Sequence, residues 1–121
     1  MSLLIVAALA LGLFQYWLLP ASTKLKHIAY LMGTRDEPLP QTVMQQRIDR
    51  AANNLKESMV PFLALSLLAM IQGVDLNQEA TLWLVLRVLY LPCYLFAINP
   101  IRSLVWLGSL ACLIAMAVQL I

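Results

Sequence analysis

The sequence predicts an all-α integral membrane protein, a bundle of four transmembrane helices. Composition is the first observation behind this. Hydrophobic residues make up 62% of the 121 and charged residues only 12%, whereas a soluble domain is about a quarter charged and under half apolar. The mean hydropathy is +0.81. The second observation is distribution: the apolar residues fall in runs long enough to cross a hydrocarbon core of about 30 Å, with short polar stretches between them. The length fits a single domain over 1–121.

The first run, Ser2 to Leu19, carries no charge. It has no basic leader and exceeds the apolar core of a signal peptide, about 7–15 residues, so it reads as a retained transmembrane helix over 2–19. Gln15, Tyr16 and Trp17 near its end are expected in an interfacial belt. A polar segment from Pro20 to Gln46 follows, with Lys24, Lys26, His27 and Arg35. Pro38 and Pro40 stop a helix there, which predicts a loop or extended strap. His27, the sole histidine, has no acid near it in sequence and reads as a surface residue.

The second helix is expected over 42–71, a third over 81–98 with a kink at Pro92, and a fourth over 101–121. The Asn99-Pro100 pair is expected to break the chain between the last two, since a residue before proline is disfavoured in the α region. Lys24, Lys26, Arg35, Arg47, Arg50 and Lys56 lie in or beside the first connection, and Arg102 follows the third. The termini and the second connection have no lysine or arginine. The positive-inside rule therefore places both basic connections in the cytoplasm and both termini outside.

The second helix begins polar and becomes apolar without a break. Arg50, Asn54 and Glu57 fall at i, i+4 and i+7 on one face, with Arg47 one turn earlier. Pro61 cannot donate to the Glu57 carbonyl, which is left free beside a carboxylate at the mouth of a membrane helix. Arg87, Tyr90 and Tyr94 share a face of the third helix, and Arg102 and Trp106 one of the fourth, with Ser103 adjacent. An arginine at depth costs about 2.5–3.5 kcal/mol on insertion scales. A buried salt bridge from Glu57 to Arg87 or Arg50 is the simplest structural account. It leaves the other cations unexplained, because Arg47, Arg50, Arg87 and Arg102 face only Glu57, with Asp49 nearer the surface. Such a surplus favours an anionic ligand. Cys93 and Cys112 lie in apolar runs without metal-ligand spacing. Net charge is only +2, with no nucleic-acid footprint.

R-x-x-R-A-x-x-N-x-x-E followed by P-F (Arg47, Arg50, Ala51, Asn54, Glu57, Pro61, Phe62) resembles the signature of the membrane-associated proteins in eicosanoid and glutathione metabolism, the MAPEG family. R-x-x-Y-x-x-x-Y (Arg87, Tyr90, Tyr94) and P-I-R-S-x-x-W (Pro100 to Trp106) are similar to two further family motifs, in family order. The chain looks like a short, bacterial-type member. The resemblance implies a homotrimer in the bacterial inner membrane, with both termini periplasmic. Glutathione would be the co-substrate, bound without a metal near the cytoplasmic surface, between helices one and two of one protomer and three and four of its neighbour. Arg50 and Arg87 would hold carboxylates, Asn54 the peptide backbone and Glu57 the γ-glutamyl ammonium. Tyr90 and Tyr94 would line the tripeptide, with Arg47 nearby and Lys24 or Lys26 as the basic residue ending helix one. Arg102 would stabilise the thiolate, with Ser103 and Trp106 near the sulfur. Where relatives often carry tyrosine, Trp106 offers no hydroxyl.

The implied activity is transfer of the thiolate to a lipophilic electrophile, or reduction of a hydroperoxide, reached from the lipid side. The alternatives are a non-catalytic lipid- or partner-binding member of the same fold and a small four-helix multidrug transporter. The retained Arg102 speaks against the first, and the lack of an acid in Ser2 to Leu19 against the second.

Overall fold

The computed structural model describes residues 1–23 and 42–121. Lys24, Lys26, His27, Arg35 and the strap expected around Pro38 and Pro40 lie outside the described residues. The rest is all helical. Helix α1 runs from Ser2 to Ser22, α2 from Val43 to Gln72, α3 from Asn77 to Leu95 and α4 from Asn99 to Leu120. Helices α1, α2 and α4 are each long and apolar enough to cross a membrane. The polar start and mid-helix arginine of α3 make it less apolar. Its 19 residues still extend about 28 Å at 1.5 Å per residue.

Helix α1 is longer than expected, because Pro20 lies inside its last turns rather than starting a loop. A π turn over Phe14–Leu18 precedes it. Pro20 has no N–H for the Tyr16 carbonyl, and the widened turn makes room for its ring. The turn also revises the interfacial belt: Trp17 is 68% exposed, whereas Gln15 is buried at 2% and Tyr16 half-buried. The Tyr16 ring lies back over Gly12, where a Cβ would come within 3.0 Å of it.

Helix α2 starts with a capping box. Thr42 accepts from the Gln45 N–H, and the Gln45 side chain accepts from the Thr42 N–H at 2.9 Å. The Gln45 amide also donates to the Thr23 carbonyl at 3.1 Å, tying the end of α1 to the start of α2. Helix α2 continues through Pro61 and stops at Gly73, whose φ of +70° suits glycine, while the Val74 N–H returns to the Ala69 carbonyl at 2.9 Å.

Helix α3 begins four residues earlier than expected. The Asp75 carboxylate accepts from the Asn77 N–H at 3.0 Å, and Glu79 in the first turn complements the helix dipole. Helix α3 also ends earlier, one turn past Pro92. Ala97 takes a left-handed φ of +55° while the Ile98 N–H bonds the Cys93 carbonyl at 2.9 Å. Asn99-Pro100 does not break the chain. It opens α4, because a first-turn proline loses no helical hydrogen bond.

The core lies between α2, α3 and α4, with α1 against α2 and α3. Phe62 and Trp83 stack with ring centroids 3.9 Å apart, and the Trp83 indole N–H donates to Ser58 Oγ at 3.0 Å. Leu55, Met59, Leu113 and Met116 pack around this pair. Large apolar side chains such as Val6, Leu9, Val60, Ile71, Ile114 and Val118 face outward, a surface that suits lipid rather than water.

Candidate functional site

Polar side chains from α2, α3 and α4 converge at the end of the bundle where α4 begins. Asn54, Tyr90, Arg102, Ser103 and Trp106 line an open cavity of about 250 Å³. A smaller cleft of about 150 Å³ shares Asn54 and Trp106 and adds Glu57, Ser58, Pro61 and Leu110. Each of the three motifs read from the sequence contributes to this region within one chain. The positioning is local in origin. Asn54 and Glu57 lie one turn apart on α2, and the turn through Ala97 swings α4 back so that Arg102 and Trp106 face them.

A chain of cations and rings crosses the site. The Arg87 guanidinium carbon lies 4.5 Å from the Tyr90 ring centroid, Tyr90 and Tyr94 are 5.7 Å apart, and Arg102 lies 5.1 Å over Tyr94. These aromatic faces favour nearby cations without neutralising them. Arg102 is half-buried and lines the cavity directly. Arg87 is 1% exposed and lines neither cleft; Tyr90, itself 4% exposed, stands between it and the cavity. The salt-bridge account fails within the chain: Arg87 Nε, Nη1 and Nη2 have no hydrogen-bond partner, and Glu57 is exposed. Asn54 Oδ1 is likewise buried without a partner, in the wall of both clefts.

The remaining candidates are placed differently. Arg47 donates to the Leu95 carbonyl at 3.0 Å, which fastens the end of α3 to α2. Arg50 is exposed on α2 and borders neither cleft. Lys24 and Lys26 lie outside the described residues. Lys56 sits 5.1 Å from the centre of the Tyr16 ring. Sequence reasoning missed Ser58, Leu110 and Leu113 as cleft residues and Gln15 as a buried group. For Gln15 there was a signal, a lone amide in an otherwise uncharged membrane segment. No group of three or more metal-ligating His, Cys, Asp or Glu side chains occurs among the described residues.

Fold and site together define an all-helical protein with membrane-type helices and, at one end, a polar cavity with Arg102 in its wall. The MAPEG family profile matches residues 2–121, nearly the whole chain, and the chain belongs to this family. Comparison with curated proteins and with solved structures gives no match. Membership makes it a membrane protein of the glutathione- or eicosanoid-related class, which includes glutathione transferases and peroxidases.

Proposed function

We propose that the protein is a glutathione-dependent membrane transferase or peroxidase, working as a homotrimer whose four helices all cross the bilayer, with the site toward the cytoplasm. The observation that carries this reading is the cavity of Asn54, Tyr90, Ser103 and Trp106, with the half-buried Arg102 guanidinium in its wall. Glutathione carries two carboxylates, one ammonium and a thiol. Arg102 stabilises its thiolate, Asn54 bonds the peptide backbone and Glu57 takes the ammonium. The exposed Arg50 is free to meet a carboxylate from the open side, where a neighbouring subunit completes the site. In conjugation the thiolate forms a bond to carbon, and the leaving group departs with its electron pair. In peroxide reduction it attacks the peroxide oxygen and the O–O bond breaks, with a second glutathione as the further reductant. The apolar cleft beside Trp106, walled by Pro61, Leu110 and Leu113, receives the lipophilic partner.

The test is conjugation of glutathione to an aryl halide by the detergent-solubilised protein, together with its thermal stabilisation by glutathione and S-alkyl analogues. Stabilisation with turnover is the expected result. Stabilisation without any turnover, on aryl halides or hydroperoxides, would leave only a binding protein of the same fold.

A further inference from the structure

Away from the Arg102 cavity, toward the other end of the bundle, α3 and α4 enclose a groove of about 450 Å³ that the glutathione reading does not use. Its walls are Leu82 and Leu86 of α3 and Gly108, Ala111, Cys112 and Ala115 of α4. The four α4 residues are small and fall at i, i+3, i+4 and i+7, so they hollow out one face of that helix. Gln78 and Glu79 close the groove where α3 begins, and Leu86 lies about 12 Å further along the helix axis. The groove is therefore polar at its rim and apolar inward, the order in which an amphiphile lies at a membrane surface. Glu79 is the group that needs a partner. Its Oε1 accepts from the Gln119 amide at 2.7 Å, and among the described residues no cation meets the carboxylate. The helix dipole accounts for an acid in a first turn. It supplies no counter-ion for a carboxylate in the wall of an apolar groove, where an unpaired charge is costly.

We infer that this groove binds a single-chain lipophilic ammonium, with its charged head on Glu79 and its alkyl chain between α3 and α4. The ammonium donates to the carboxylate oxygen that Gln119 leaves open, a charge-assisted bond. The chain covers Leu82, Leu86 and the small residues of α4. Charge excludes the two other occupants. Residues 1–13, 60–86 and 107–121, the halves of the helices at this end, contain no lysine, arginine or histidine, and Met1 packs against its own core. A second copy lying parallel in the membrane presents this same end, and so no cationic side chain. A phospholipid ammonium arrives with its phosphate, which sets a second anion beside the carboxylate. The site is independent of the glutathione reading and stands if that reading falls.

The experiment uses the full-length protein in phosphatidylcholine nanodiscs and a decylammonium probe with a diazirine in its tail. A carboxylate probe with the same chain and diazirine is the anionic control. Photolabelled residues are mapped by mass spectrometry, with and without excess unlabelled decylammonium. The ammonium probe is expected to label residues 82–86 and 108–115 saturably. Glu79→Gln should weaken its binding at least about tenfold, as for a lost charge-assisted hydrogen bond. Ala111→Trp fills the groove without altering the carboxylate and should abolish the labelling. Equal labelling by the two probes, or of wild type and Glu79→Gln, would mean ordinary contact with lipid chains and overturn the inference. Competition by phosphatidylethanolamine as strong as that by decylammonium would assign the groove to membrane lipid and overturn it too. So would an unlabelled wall; a disulfide between copies of an Ala111→Cys variant would then name a second copy as the occupant.

Discussion

Replacing Arg102 by alanine tests the chemistry most directly. A cavity of 250 Å³ has a radius of about 4 Å, so a sulfur held in it lies about that far from a guanidinium in its wall. At this separation and an effective dielectric of about 20, the attraction for a thiolate is about 4 kcal/mol. Arg102 is only half-buried and the cavity is open, so solvent screening reduces this. A retained effect of about 2.7 kcal/mol corresponds to two pKa units. A free thiol with pKa near 8.5 is about 3% thiolate at pH 7; lowered by two units it is about three-quarters thiolate. Arg102→Ala should therefore reduce bound thiolate about 25-fold at pH 7 while glutathione still binds. The assay is the ultraviolet difference absorbance of thiolate with glutathione at saturation, followed across pH. Wild type should rise by only about a third above pH 7, because about three-quarters of its bound thiol is already ionised there. The variant should climb with its midpoint near pH 8.5, where the bare thiol ionises by itself, and level off about a unit higher. Equal thiolate absorbance in the two proteins at pH 7 would remove Arg102 from the mechanism.

Other substitutions separate binding from scaffolding. Glu57→Gln should weaken glutathione by about 1.5–3 kcal/mol, as for a lost charged hydrogen bond, and leave an analogue lacking the amino group unaffected; calorimetry with both ligands decides it. Arg47→Met should cost about 1 kcal/mol of stability by freeing the Leu95 carbonyl. If Arg47 is scaffolding alone, glutathione affinity should change by less than about threefold; a larger loss in titration would make it a ligand. Ala97→Gly relieves a left-handed φ of +55° and should stabilise the α3–α4 turn by up to about 1 kcal/mol. An unchanged or lower melting temperature would mean that this turn stores no strain. Trp83→Phe keeps the stack on Phe62 but loses the bond to Ser58; a cost of about 1 kcal/mol is expected in thermal unfolding.

The residues that line the cavity were legible in the sequence because helical periodicity fixes which side chains share a face. Asn54 with Glu57, and Arg102 with Trp106, needed only that rule, and the clefts bring them together. The ends of α3 and α4 were harder to read. A proline after asparagine signals either a break or a first turn, and the choice depends on whether the preceding chain can close with a left-handed residue, which Ala97 does here without being glycine. Periodicity was also silent on what faces what. Arg50 and Arg87 look equivalent as buried cations in a sequence, yet one is exposed on α2 and the other buried within the bundle.

The π turn explains the largest departure. A fixed step of 100° puts Gln15, Tyr16 and Trp17 around the helix like any other three residues, and an amide beside two aromatics then resembles an interfacial belt. One wider turn before Pro20 rotates the first two inward and leaves Trp17 outside. Its cause is the missing N–H of a proline that sequence alone takes for the end of the helix. The same residue that obscures the boundary of α1 thus directs two polar side chains toward the interior, where the turn packs against α2. If this account holds, Pro20→Ala should restore ordinary helical spacing. Gln15 or Tyr16 would then turn away from α2, and the melting temperature should fall even though a better helix former replaces a poor one. A rise in melting temperature would instead mean that the inward turn of Gln15 and Tyr16 contributes nothing to the stability of the bundle.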